Sequence, residues 1–236
     1  MNLDFIVYPL GGLLKIIYDF VGNYGLSIVI FTIIVRTALL PLTIKQTESS
    51  KKMNELNPKM KAIQEKYKTD KETLNVKLME LYKENNYNPA SGCFPMLVQM
   101  PIIFSLFYVI QQPVKYVFGN QQTFEAVHKS FLWLTNLGLL EQNASIFVIA
   151  GFALPILAIL SGLTTWYQMK MISPKGAKID PTMKTMNTIM PFMIAYFTFT
   201  VPAGLAIYWV VGNIFTIAQQ YVTLKLLPAM KEAKAK

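Results

Sequence analysis

Arg36 is the one residue in this sequence whose place demands a chemical explanation. It stands near the middle of "SIVIFTIIVRTALLPLTI" (27–44), a run otherwise suited to hydrocarbon. A lone cation there costs about 2.5–3.5 kcal/mol on insertion scales and over ~10 kcal/mol in simulations. Pairing with a buried carboxylate is the usual remedy, but no Asp or Glu falls within any of the five apolar stretches delimited below. Snorkelling to the interface is a second remedy; the distance to the inner end of the stretch is about 13 Å at helical rise. The third is a cation kept in a hydrated groove for an external anion, and the inventory of charges favours this one.

Other polar side chains support a groove. Gln99 and Ser105 fall in the second stretch, Ser161, Thr164 and Thr165 near the inner end of the third, and Asn187 and Thr188 at the start of the fourth. In the fifth, Trp209, Asn213, Thr216 and Gln220 recur at i, i+4, i+7 and i+11, which places them on one helix face. By contrast, "SIFVIAGFALPILAIL" (145–160) is almost purely apolar. Convergence of the inner polar faces would enclose a wet pocket, open on one side and closed on the other, where water lowers the desolvation cost of Arg36. The candidate groove set is Arg36, Gln99, Ser161, Thr165, Trp209, Asn213 and Thr216. A channel for a small solute or ion is the alternative use of such a cavity, and a structural scaffold with a replaceable Arg36 is a third reading.

The elements that must position these residues follow from composition. Of 236 residues 53% are hydrophobic and 15% charged, with a mean hydropathy of +0.36, outside the range of ordinary soluble domains. The apolar runs are continuous rather than alternating, which points to helices and not to a β-barrel. The reading is an all-α polytopic membrane protein with five transmembrane helices at 23–45, 93–112, 144–167, 184–201 and 203–226. "VPAGL" (201–205) makes a tight turn between the last two. Residues 1–22, with Leu10, Leu13, Leu14 and Ile17 at helical spacing, read as an N-terminal interfacial amphipathic helix, or else as a short core helix.

Lysine and arginine set the orientation. Segment 45–91 carries ten Lys, loop 168–183 carries Lys170, Lys175 and Lys178 with Lys184 just beyond, and the tail 227–236 carries three more. Loop 113–143 has only Lys115 and Lys129. The Lys-rich segments share one side, so that side is cytoplasmic, with the N-terminus and 113–143 outside. The net charge of +9 is therefore chiefly topological rather than a nucleic-acid signal; lipid or ribosomal RNA contacts remain open to the mixed-charge segment.

Segment 46–91 reads as a cytoplasmic helical hairpin. Asn57 caps and Pro58 opens a first helix bearing Met60, Ile63 and Tyr67. Thr69 or Asp70 caps a second bearing Leu74, Leu78 and Leu81. Neither stripe is stable alone in water, so the two pair, and the hairpin is expected to stand off the membrane and move. Methionines 53, 60, 79, 96, 100, 169, 171, 183, 186 and 190 gather on the cytoplasmic side, as suits a surface accepting varied apolar partners, though core filling explains them equally.

Covalent chemistry finds little support. Cys93 is the only cysteine and His128 the only histidine, so no intramolecular disulfide or His-based metal cluster is available. The sequence has no HExxH, no Gly-rich phosphate loop and no membrane-embedded Asp pair. No cofactor, metal or DNA partner is expected.

Three stretches then carry a resemblance. "IIVRTALLPLTIKQTESSKKM" (33–53), "YKENNYNPASGCFPMLVQMPIIFSLF" (82–107) and "PAGLAIYWVVGNIFTIAQQY" (202–221) closely resemble the YidC/Oxa/Alb membrane-protein insertases. The resemblance covers nearly the whole chain. It implies a five-span bacterial plasma-membrane protein that captures nascent membrane proteins in a cytoplasm-open groove whose arginine matches Arg36. Release would be lateral into membrane lipid, along a greasy face on the third and fifth spans. Implied partners are the Sec translocon, the ribosome and the signal recognition particle pathway, met partly through the hairpin. A large extracytoplasmic domain is missing, which suggests the Gram-positive type. The early Cys of a lipoprotein signal is also missing, and only nine residues follow Leu227, so lipid anchoring and strong tail-mediated ribosome binding are not expected.

Overall fold

The computed structural model describes residues 4–88, 94–149, 151–173 and 181–226, and for 94–99, 152, 181–184, 186, 225 and 226 the backbone alone. The expected tail and most of the 168–183 loop lie outside the described residues, as do Cys93 and the side chain of Gln99.

The chain is mostly helical. α1 spans Asp4–Val21, α2 Tyr24–Ala38, α3 Leu40–Lys66, α4 Lys71–Glu84 and α5 Phe94–Gln111. Short helices α6 (Gln121–Glu125) and α7 (Glu141–Ala144) follow, then a two-stranded antiparallel hairpin of β1 (Val148–Ile149) and β2 (Phe152–Ala153). The last helices are α8 (Ile156–Ile172), α9 (Pro181–Phe199) and α10 (Ala203–Tyr221).

α10 is the central helix. It packs against α8, α2, α9, α5 and α3, and its first half, Ala203 to Tyr208, is buried without interruption. Around it one core gathers Ile28 and Phe31 of α2, Leu106, Val109 and Ile110 of α5, and Leu157 of α8. α1 lies against α2 and α5. Its buried stripe is Val7, Gly11, Leu14 and Ile17, with Leu10 and Leu13 packed beside it. A side chain at Gly11 would strike the backbone of Tyr116 at 2.1 Å, so glycine is needed for this close approach. The opposite face of α1 is also apolar, with Phe5, Tyr8, Ile16 and Phe20 exposed.

Three boundaries differ from the sequence reading. The stretch 23–45 is not one helix: α2 and α3 meet at Leu39 with a bend of 64°. Pro41 explains the break, since it lacks the N–H that a continuing helix needs and its ring clashes with the carbonyl four residues earlier. The stretch 144–167 is helical only from Ile156. Gly151, at φ +85°, turns the β-hairpin, and Pro155 occupies the N-cap of α8. Asn57 and Pro58 lie inside α3 rather than at a helix start. Among the described residues no single helix is long and apolar enough to cross a membrane, whereas the bent pair α2–α3 is by length and composition.

The hairpin pairs α3 with α4. Asp70 caps α4, accepting from the Thr73 amide at 3.0 Å and its hydroxyl at 2.6 Å. Leu56, Leu81 and Tyr87 form its small core, with Met53, Met60, Ile63 and Tyr82 against them. Tyr67, Leu74 and Leu78 are half-buried. The apolar stripes thus face each other, and the exposed apolar residues of α4 are Val76 and Met79. α3 is unbroken from Leu40, about 40 Å long at helical rise, so one helix carries both the residues after the bend and the first half of the hairpin.

Candidate functional site: a groove around Arg36

A cavity of about 440 Å³ opens beside Arg36 between α2, α3, α5, α8, α9 and α10. α3 contributes Thr43, Gln46, Thr47 and Ser50; α8 contributes Gln168; α10 contributes Tyr208, Trp209, Asn213, Thr216, Gln219 and Gln220. Its apolar wall includes Met100 of α5 and Met190, Met193 and Ile194 of α9.

Arg36 reaches this cavity from the last turn of α2. α2 ends at the bend, where the Leu39 amide bonds the Val35 carbonyl at 3.1 Å, and a helix C-terminus favours a cation by about 0.3–1 kcal/mol, up to ~2 when partly buried. The guanidinium carbon lies 5.8 Å from the centre of the Tyr208 ring. On its other flank is Gly212: a β-carbon there would stand 2.5 Å from Nη2 and 2.9 Å from Nε. An aromatic face and a missing side chain, one turn apart on α10, therefore form the seat of the guanidinium.

The charge is unmatched among the described residues. Among the described residues the ion pairs are Lys15–Asp19 and Lys77–Glu80, both exposed, and neither involves Arg36. Its Nε is buried without an acceptor. The buried acid nearest the apolar stretches in sequence, Glu141, is engaged elsewhere: its carboxylate accepts from the Leu157 amide at 2.8 and 2.9 Å and from the Trp133 indole at 3.3 Å. At 4 Å a carboxylate entering the groove would gain about 4 kcal/mol of attraction at an effective dielectric near 20, against ~1 kcal/mol in water.

The remaining candidates divide into two layers. Trp209, Asn213 and Thr216 line the cavity, with Trp209 steadied by Phe197 at 5.7 Å between ring centres. Ser161 and Thr165 are buried behind them in the α8–α10 contact. There the Asn213 amide donates to the hydroxyls of Thr164 at 2.9 Å and Thr165 at 3.0 Å. Gln168 donates to the Asn213 carbonyl at 2.9 Å, and Ser161 bonds to the Ala158 carbonyl at 2.8 Å. These polar groups join helices where neither water nor extra area need do so. The structure also adds residues that spacing did not single out: Thr43, Gln46, Thr47 and Ser50 on α3, and Gln219, which donates to Thr47 at 3.3 Å. Their signal was Pro41, which turns α3 so that the polar sequence after Leu42 faces the cavity.

The end of the bundle at the starts of α8 and α10 is covered. Main-chain carbonyls of Leu139 and Leu137 accept from the Ala203 and Gly204 amides at 2.8 and 2.9 Å, capping α10. Glu141 does the same for α8. Leu134, Leu137 and Ala144 are buried beneath this cover.

Comparison with known proteins places the chain in a family. The model of the 60Kd inner membrane protein family matches residues 16–231. The chain belongs to this family. Membrane protein insertase YidC 2 of Bacillus anthracis is 39% identical over 237 residues, covering 98% of this chain and 84% of that protein. Membrane protein insertase MisCA of Bacillus subtilis (strain 168) is also 39% identical, over 92% of this chain and 77% of its own length. A YidC insertase of Wolinella succinogenes matches 99% of this chain at 36% identity but only 39% of its own length. The crystal structure of an active YidC insertase with its first transmembrane domain resolved superposes with a TM-score of 0.68 at 27% identity, over 94% of this chain and 47% of that one. This family member thus matches the two Bacillus insertases over most of their length and the longer relatives over less than half.

Proposed function

We propose that this chain is a bacterial membrane protein insertase that captures segments of nascent membrane proteins in the groove around Arg36. The observation that carries this reading is a guanidinium seated between Tyr208 and Gly212, in a polar cavity, without an anion of its own. The chain acts by non-covalent capture: Arg36 attracts an acidic or polar segment, the polar faces of α3 and α10 replace its water, and the apolar faces release the following segment into lipid. The relatives are named insertases, which supports the reading. The helices cross the membrane as five spans, the first bent at Leu39, with the N-terminus outside and the Lys-rich hairpin in the cytoplasm. α1 lies at the outer interface. The covered outer ends of α8 and α10 weigh against a through-channel. Cooperation with the Sec translocon, ribosome or signal recognition particle belongs to the same proposal and would use the hairpin.

Reconstituted insertion of a small substrate with an acidic translocated tail tests this. Arg36→Lys is expected to retain activity. Arg36→Ala is expected to lose about ten-fold or more, the effect of removing a charged hydrogen bond of roughly 1.5–3 kcal/mol, with a smaller loss for a neutral tail. Full activity of Arg36→Ala on every substrate would overturn the mechanism.

A further inference from the structure

A second crevice, of about 590 Å³, lies between α8 and α9 on the face away from Arg36's cavity, and shares no lining residue with it. This size falls within the roughly 300–1,000 Å³ of small-molecule sites. Its walls are Leu163 and Trp166 of α8 and Pro191 and Phe192 of α9, with Leu163 57% and Phe192 73% exposed. Its floor is where the helices come closest: a β-carbon on Gly162 would meet that of Ala195 at 3.1 Å. One end is polar. Asn187 lines it, donating to Ser173 at 2.9 Å, and Lys170 is exposed there, its ammonium 4.7 Å from the Trp166 ring centre.

We propose that this crevice binds one phospholipid of anionic headgroup, its acyl chain between α8 and α9 and its headgroup at Lys170 and Asn187. Shape and charge together select this occupant. A gap floored by Gly162 and Ala195 admits a single hydrocarbon chain, whereas a substrate helix is about 10–12 Å across. Among the described side chains Lys170 is the cation beside the crevice, at the end where α8 closes and α9 begins, and Trp166 sits beside it as interfacial aromatics do. This placement rests on the proposed orientation, in which that end meets the cytoplasmic leaflet, where anionic lipids attract a near-surface lysine.

The test uses the full chain in nanodiscs containing brominated phosphatidylglycerol or brominated phosphatidylcholine at equal mole fraction. Quenching of Trp166 is taken as the difference between wild type and Trp166→Phe. Phosphatidylglycerol is expected to bind roughly five-fold more tightly than phosphatidylcholine, the effect of one near-surface lysine. Lys170→Gln should abolish the preference, and Ala195→Phe should weaken quenching by both lipids by filling the floor. Equal quenching by the two lipids in wild type would overturn the site, leaving only ordinary bilayer contact. So would a preference indifferent to both substitutions, or loss of quenching because a second copy covers the crevice. Arg36→Ala separates the two proposals: it should lose insertion and keep the lipid preference. Labelling of Lys170→Cys in a Cys93→Ser background by an impermeant thiol reagent reports the orientation independently.

Discussion

Arg36 is tolerable because three local features act on one guanidinium. The C-terminus of α2 supplies partial negative charge, the Tyr208 ring supplies a face, and Gly212 supplies space. The last of these yields a clean prediction. Glycine to alanine inside a helix ordinarily favours the helix by about 0.8–1 kcal/mol, so Gly212→Ala should leave the melting temperature unchanged or raised. The added methyl must nevertheless displace the guanidinium. Insertion of acidic-tailed substrates should therefore fall several-fold while the fold persists, as read by parallel insertion assays and thermal melts. Unchanged insertion would mean that the position of Arg36 is immaterial.

The bend at Leu39 is the device that turns one sequence run into two groove walls. α2 delivers Arg36, and α3 leaves at 64° carrying Thr43, Gln46, Thr47 and Ser50. Pro41→Ala restores a donor and removes the ring clash, which cost about 3 kcal/mol in a continuous helix. The α2–α3 angle should narrow, lengthening the distance between spin labels at Ile30 and Met60, and insertion should drop. Further along, Asp70 holds the start of α4. Its hydrogen bonds from the Thr73 side chain and amide keep its carboxyl below the ordinary value of 3.8. A depressed folded pKa means that the cap is fully present above the unfolded value and is lost as pH falls through the lower, folded one. Hairpin helicity by circular dichroism should thus persist through pH 3.8 and decline below it, and Asp70→Ala should remove that acid transition.

At the scale of the molecule, the groove is one-ended because loop 131–145 is bonded to two helix starts. Glu141 is 1% exposed and accepts from Leu157, Ala158 and Trp133. Glu141→Gln puts an NH2 against amide donors, and a buried group left without a partner costs about 1–3 kcal/mol. Hydrogen exchange in the first turn of α8 should accelerate correspondingly, with a lowered melting temperature. If exchange at Leu157 is unaltered, Glu141 does not hold the cover. The unbroken α3 also joins the two parts of the molecule, running from the groove wall at Thr43 to the hairpin core at Leu56.

Much of this was legible in the chain. Helical class followed from continuous apolar runs, the capped α4 from Asp70, the pairing of the hairpin helices from their leucine and methionine stripes, and the isolation of Arg36 from the missing carboxylates. These are properties of composition and of spacing along one helix, where neighbours in space are three or four residues apart. What spacing could not tell was helix rotation and contact across the fold. Ser161 and Thr165 share the period of groove residues yet are buried in the α8–α10 contact, Thr165 bonded to Asn213 and Ser161 to the Ala158 carbonyl, since each helix face meets whichever neighbour the packing of α10 puts there. Glu141 reads as a loop acid but caps the first turn of a helix through an amide sixteen residues away. The cationic seat needs Tyr208 and Gly212, more than 170 positions from Arg36. Such partners are chosen by the packing of α10 against α2, and that is decided only when the tertiary structure forms.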